Sequence, residues 1–311
     1  MRPRTPRPGP RLGTRGSPLA LIQARKVAAA LEVAERWPAG HVEIVPITTS
    51  GDTILDRPLA EVGGKGLWTK ELDSALLNGD IDFAVHSMKD VEVVRPAEIR
   101  LAAIRPRVYC EDKLVGASSI DELKRGAVVG TSSPRRAAQL LAARPDLKIV
   151  TLRGNVETRL KKLEAGEADA TILSAAGLHR LELDDVGTVI PFELMLPAPG
   201  QGALGIECRA DDTECMQLLK LLDDSASRFA VLAERAFARA LGGSCHSPVA
   251  ALATVDRMQV HLRAEILSVD GKERVRDEAR FSAGHDQVPA KLARAMLERA
   301  GEAIRSLFAA A

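Results

Sequence analysis

The sequence predicts an α/β protein of two related lobes followed by a smaller α+β unit. Three observations carry that reading. A strand, a Gly-Thr turn and a helix opened by Ser-Pro occur twice, at Gly13-Thr14-Arg15-Gly16-Ser17-Pro18 and at Gly130-Thr131-Ser132-Ser133-Pro134. A helix stopped at Gly and followed by an apolar strand ending in Ser also occurs twice, at 79–87 and at 166–174, in the same order. From about Ser225 the pattern changes to an amphipathic helix, alternating strands such as 260–266 and a terminal helix.

Taken in order, Met1 to Arg11 is rich in Pro and Arg and reads as a disordered tail. Ser17 is a good N-cap and Pro18 suits the first helical position, ahead of an apolar face of Leu19, Ile22, Val27 and Leu31. The run Ile81-Asp82-Phe83-Ala84-Val85 is a buried strand, so the polar cluster His86-Ser87-Met88-Lys89-Asp90 falls where its carboxyl end opens into a crevice. In the second lobe Ser133 and Pro134 repeat the helix start. Leu152-Arg153-Gly154-Asn155 adds another strand-to-helix turn with Asn155 as N-cap, and Ser174 leads into Ala175 to Arg180. Pro197, Pro199, Gly200, Gln201 and Gly202 mark a hinge crossing, after which the strand at 203–207 returns to the first lobe. The expected partition is 1–104 with 200–222 as the first lobe, 105–199 as the second, and 223–311 as the C-terminal unit.

The 311 residues suit two or three domains, with 46% hydrophobic and 27% charged residues as in ordinary globular proteins. Basic and acidic side chains number 43 and 42, so no global field recruits nucleic acid or a membrane and any cationic site must be local. Two Trp, one Tyr and six Phe supply few stacking platforms for single-stranded nucleic acid. No apolar stretch approaches the length of a membrane span. Cys110, Cys208, Cys215 and Cys245 form neither a Cys-x-x-Cys pair nor a metal-ligand spacing with the six histidines, which reads as a reduced, cytoplasmic protein without a metal.

Helix starts offer unpaired backbone donors, so Ser17 and Ser133 each mark a candidate anion site. Arg15 precedes the first helix, and Arg135 and Arg136 occupy the first turn of the second, where cations oppose the helix dipole and a bound anion explains them better. Arg153, Arg159 and Arg180 lie at neighbouring turns. Forked guanidinium groups suit carboxylates and phosphates. The absence of a P-loop or dinucleotide fingerprint favours a ligand with many carboxylates over a nucleotide. Cys245, in a Gly-rich loop and lacking a His-Asp or His-Asn partner, is a candidate for covalent attachment rather than protease-like catalysis. The other three cysteines read as structural.

With these residues assembled, the chain resembles the porphobilinogen deaminase (hydroxymethylbilane synthase) family from Leu12 to the terminal helix. The segments that carry the likeness are 51–56, Val62-Gly63-Gly64-Lys65-Gly66-Leu67, His86 to Asp90, Gly130 to Arg136, Leu152 to Asn155, Pro199-Gly200-Gln201-Gly202-Ala203 and Ala233-Glu234-Arg235-Ala236-Phe237. The resemblance implies two lobes of the periplasmic-binding-protein type (type II, transferrin-like) and a third small domain. It implies head-to-tail condensation of four porphobilinogen molecules into hydroxymethylbilane with release of ammonia, primed by a dipyrromethane cofactor held through a thioether on Cys245. Each pyrrole carries acetate and propionate, which accounts for the arginines.

By position, Asp90 is then the catalytic carboxylate, stabilising cationic azafulvene and pyrrole species through their N–H groups. Lys89, Ser133, Arg135 and Arg136 hold cofactor carboxylates. Arg15, Ser17, Ser87, Arg153, Arg159 and Arg180 hold substrate and the growing chain. A cytoplasmic monomer passing its product to uroporphyrinogen III synthase is also implied. Departures from the family pattern are Glu61 for lysine, Trp68 for phenylalanine, Glu92 for proline, Ser244 for glycine, and the altered segment Arg107 to Lys113. Two alternatives stand beside this reading: a catalytically impaired paralogue, and a non-catalytic polycarboxylate-binding protein of the same two-lobe type that needs the arginines alone.

Overall fold

The computed structural model describes residues 9–53, 68–242 and 247–308. Along the chain run β1 (Arg11–Arg15), α1 (Pro18–Glu35), β2 (Glu43–Ile47), α2 (Ser50–Thr53), α3 (Lys70–Asn78), β3 (Phe83–Ser87), a 3-10 turn (Met88–Asp90) and β4 (Ile99–Ile104). The chain continues through β5 (Asp112–Val115), β6 (Val128–Gly130), α4 (Pro134–Ala143), β7 (Lys148–Val150), α5 (Val156–Glu164), β8 (Ala170–Ser174), α6 (Ala175–Arg180) and β9 (Thr188–Val189). There follow β10 (Leu204–Arg209), α7 (Thr213–Lys220), α8 (Ser225–Leu241), β11 (Val249–Asp256), β12 (Gln259–Leu267), β13 (Arg274–Ser282), α9 (Gln287–Arg299) and α10 (Glu302–Arg305).

These strands form two five-stranded sheets, ordered β2-β1-β3-β10-β4 and β7-β6-β8-β5-β9, and a three-stranded sheet β11-β12-β13. The large sheets share one plan. In each, three parallel strands are followed by an antiparallel crossing strand and an edge strand: β10 crosses between β3 and β4, and β5 between β8 and β9. The internal repeat read from the sequence is visible at matching places. Gly79 and Gly166 stop their helices at φ 75° and 76°, a conformation in which a side chain would be strained. β3 and β8 then each run four buried residues into a half-buried serine.

Capping follows the sequence. Ser17 Oγ accepts from Ala20 N at 3.4 Å, Ser133 Oγ from Arg136 N at 3.4 Å, and Asn155 Oδ1 from Thr158 N at 2.8 Å. Each such cap contributes about 1 kcal/mol. Two expectations are corrected. Arg11, read as the end of the tail, opens β1, because its N–H and guanidinium both reach Asp82 and tie the strand start to the turn before β3. The strand expected over 81–85 begins at Phe83 and runs through Ser87, since Ile81 N is taken by Ala75 O and Asp82 N by Arg11 O. His86 and Ser87 therefore belong to the strand. Residues 1–8 of the tail, Glu61, Ser244 and Cys245 lie outside the described residues.

Each sheet has its own apolar core: Leu12, Val27, Leu31, Phe83 and Ile206 in the first lobe, Leu114, Val129, Leu140 and Ile172 in the second, and Phe237, Leu262, Ile266 and Met296 in the third unit. Two stretches connect the lobes, 105–111 and 197–203, and they lie side by side. Gln201 Nε2 donates to Cys110 O at 2.7 Å and Arg107 Nε to Gln201 O at 2.8 Å. The Glu234 carboxylate of α8 joins both: it receives Arg107 at 2.6 and 3.1 Å, Gly200 N at 2.6 Å and, from the third unit's own sheet, Ala253 N at 2.7 Å. A fully buried carboxylate with four donors is a satisfied one, so α8 fixes the crossing at low cost.

Candidate active site

The Met88–Asp90 turn is presented by its own buried residue. Met88 N donates to Ala203 O at 3.0 Å, and its side chain packs against Gly200 and Gly205, where a Cβ at either position would overlap it. With Met88 inside, Lys89 and Asp90 are half-buried at the carboxyl end of β3. Ser87 Oγ lies 3.1 Å from Nε2 of the buried Gln23 on α1. Behind the strand, His86 Nε2 is 3.3 Å from Glu207 Oε2, and Arg95 bridges Glu207 and Asp73 at 2.7 and 2.5 Å. Burial pushes the Glu207 carboxyl up, but His86 and Arg95 outweigh it and hold it at about 2.

From the second lobe, Arg135 and Arg136 converge on Asp112, which they meet at 2.7 and 2.6 Å. Arg135 also donates to Gln139 and Leu196 O, Arg136 to Ile172 O, and Gln201 Nε2 to Asp112 at 2.9 Å. The first anion these arginines meet is thus internal, and it is shared. Two guanidinium groups against one carboxylate leave the pocket net positive, and among the described residues the buried Nε atoms of both arginines have no hydrogen-bond partner. Unspent buried donors of this kind are what a further carboxylate would satisfy.

Lys89 and Asp90 face this group. Burial lowers the Lys89 pKa to about 8; Arg136 and Arg135 push the same way, and Asp90 and Asp112 oppose them. Arg159 is lowered to about 10 by burial, then by Arg136 and Arg153, against the pull of Asp90. Lys89, Asp90, Arg136, Arg153 and Arg159 therefore lie within one another's fields across the two lobes. Arg180 is lowered to about 10 by burial and donates to Gly202 O at 2.6 Å. Among the described residues neither Arg159 nor Arg180 has a carboxylate within ion-pair distance.

Arg15 lies at the end of β1 with its guanidinium carbon 3.9 Å from the Trp68 ring centroid, a cation–π contact. Ser17 and Ser133 serve as caps. Leu19 of α1 sits beside Gly177 of α6, which brings the Arg15 and Arg180 ends of the two lobes toward each other. Gln201 and Glu234 lie in segments that carry the family likeness and Asp112 in the altered 107–113 segment, but no motif marks the structural roles of these three or of Glu207. The signal for the carboxylates was a lone acidic residue in an apolar pattern, as at Glu207 between Ile206 and Cys208.

Fold and site together define a two-lobed α/β protein that gathers unbalanced positive charge around one half-buried carboxylate, an arrangement suited to a polycarboxylate. Residues 11–217 match the family model described as porphobilinogen deaminase, dipyromethane cofactor binding domain, and residues 228–298 match porphobilinogen deaminase, C-terminal domain. A porphobilinogen deaminase of Sphingopyxis alaskensis is 53% identical over 96% of both chains, and one of Nitrobacter hamburgensis 47% identical over 96% of both. That of Paracoccus denitrificans is 51% identical over 85% of both. Among solved structures, a periplasmic substrate-binding protein from Coxiella burnetii aligns with 70% of this chain and 93% of its own at 19% identity and a TM-score of 0.42.

The chain belongs to the porphobilinogen deaminase family. It is accordingly a transferase of tetrapyrrole biosynthesis that uses a dipyrromethane cofactor, and no described helix is long and apolar enough to cross a membrane.

Proposed function

We propose that this chain condenses four porphobilinogen molecules head to tail into hydroxymethylbilane, as a hydroxymethylbilane synthase, with Asp90 as the catalytic carboxylate. The observation that carries the reading is the juxtaposition of Asp90 with a net-positive, partly unsatisfied arginine group. The dipyrromethane, when bound, supplies the nucleophilic pyrrole carbon that accepts the first substrate. Lys89, Ser133, Arg135 and Arg136 hold its carboxylates, and the unpaired Nε atoms of Arg135 and Arg136 fit that task. Cys245, outside the described residues, is its attachment point.

Asp90 accepts a hydrogen bond from the substrate pyrrole N–H as positive charge develops on the ring and the aminomethyl nitrogen departs as ammonia. Its half-burial strengthens that interaction by limiting water. Arg15, Ser17, Ser87, Arg153, Arg159 and Arg180 hold the acetates and propionates of incoming and elongating pyrroles. The assignment is completed by a first lobe of 1–104 with 200–222, a second of 105–199 and a cofactor-bearing unit of 223–311. We place the enzyme in the cytoplasm as a monomer that passes its product to uroporphyrinogen III synthase.

Intact mass under denaturing conditions tests the reading, with and without porphobilinogen and with Cys245→Ser as control. A covalent two-pyrrole increment that grows by pyrrole units, absent from the control, is the expected result. A bare polypeptide that stays unloaded after reconstitution with preformed hydroxymethylbilane would identify an impaired paralogue or a simple polycarboxylate binder.

A further inference from the structure

The Met88–Asp90 turn is gripped from behind by α8 of the third unit. Arg235 Nη1 donates to Val91 O at 3.0 Å and Nη2 to Glu92 O at 2.5 Å, and Arg239 Nη2 donates to Val93 O at 2.9 Å. One turn earlier on the same helix face, Val231 packs in a single apolar cluster with Met88, Val91 and Ala203. Asp90 is thus suspended between Met88, fixed to Ala203, and Val91, fixed to Arg235. We propose that Arg235 is a positioning residue for Asp90, its planar fork setting the exit angle of the turn through two successive carbonyls.

A purely packing role accounts poorly for the choice of residue. Arg235 is buried, and among the described residues it has no carboxylate within ion-pair distance. Burial lowers its pKa to about 10, although the field of Glu207 opposes this. A buried cation spent on neutral carbonyls is costly where an apolar side chain would fill the same volume. What the fork adds is geometry: two donors in one plane hold two carbonyls in a fixed relation, which a point charge or a methyl group does not. Displacing a reacting group by about 1 Å costs on the order of 100-fold in rate, so the angle is worth holding.

The inference rests on Asp90 being the catalytic carboxylate, and the test separates the two claims. Wild type, Arg235→Gln, Arg235→Lys, Asp90→Ala and the double variant Asp90→Ala/Arg235→Gln are compared as holoenzymes, with loading measured by intact mass and rates normalised to loaded protein. Arg235→Gln is expected to lower kcat on the order of 10- to 100-fold while KM for porphobilinogen stays within about threefold. Arg235→Lys, which keeps the charge but not the fork, falls between, and it carries the test if the glutamine variant does not fold. The double variant should be no slower than Asp90→Ala alone, because the two residues act as a unit. Wild-type kcat in both Arg235 variants, with only a lowered unfolding temperature, would overturn the positioning role. So would a double variant slower than Asp90→Ala by the full Arg235→Gln factor. Wild-type turnover in Asp90→Ala overturns the catalytic assignment itself and the positioning role with it.

Discussion

Replacing Asp112 with asparagine removes the one carboxylate that two buried arginines share while keeping nearly the same shape. In the wild type it receives Arg135 at 2.7 Å, Arg136 at 2.6 Å and Gln201 at 2.9 Å, all away from water. Breaking a buried ion pair from one side costs about 3–5 kcal/mol, because the charges left behind stay buried without compensation. At about 2–4 °C per kcal/mol for a chain of this size, the unfolding temperature of the apoenzyme should fall on the order of 10 °C. On the proposed assignment the cofactor's carboxylates meet the same guanidinium groups, and the holoenzyme should then lose less. Burial pushes the Asp112 carboxyl up, but Arg136 and Arg135 outweigh it and hold it well below the usual carboxylate range. A depressed carboxyl stabilises the fold above its unfolded pKa of about 4 and loses that contribution as pH falls toward its folded value, so the two proteins should converge only in strong acid. Calorimetry of apo and holo forms between pH 3 and pH 8 measures this. A loss in the apoenzyme below about 1 kcal/mol, or an equal loss in both forms, would refute the claim that Asp112 and the cofactor share these arginines.

Arg159→Gln should show the opposite balance: stability within about 1 kcal/mol of wild type, because burial already penalises this cation, Asp90 offsets that only through its field, and among the described residues no carboxylate pairs with it, but KM for porphobilinogen raised on the order of tenfold. Unfolding and steady-state measurements on one preparation separate the two effects. Lys89, at about 8, should lose its charge as pH rises through that value, so reconstitution of the apoenzyme slows above pH 8. Rates measured from pH 6 to pH 10 should show that inflection in wild type and lose it in Lys89→Met. Gly205→Ala forces the Met88 side chain aside and should lower kcat with little change in KM, whereas an unchanged kcat would show that Met88 does not set the turn.

Much of the architecture was legible in local sequence. Ser17, Ser133 and Asn155 act as caps because a capping side chain needs only a donor three residues away. The duplicated glycine stops and serine strand ends were equally local. The arginine set was also readable, but not the fact that Arg135 and Arg136 already share an internal anion. Asp112 lies 23 and 24 residues from them and 89 from Gln201, and no periodicity encodes such a meeting. Glu234, joined to Arg107 across 127 residues, was hidden for the same reason, since on a helical wheel it is only a polar residue on an apolar face. The start of β3 was misjudged because Ile81 and Asp82 carry strand-like character but spend their backbone donors elsewhere.

The crossing strands also govern how this protein is made. β4 pairs, among the described strands, only with β10, and β3 depends on β10 for its second neighbour. During synthesis the first lobe must therefore wait, one edge open, until about a hundred further residues have left the ribosome, on the order of 5–20 s at ordinary elongation rates. The second lobe, whose crossing strand β5 precedes its partners β8 and β9, can close its sheet first. The nascent chain thus completes its middle before its beginning, and the exposed edge of β3, an apolar run of Phe83, Ala84 and Val85, is the stretch that a chaperone would have to shield in the interval.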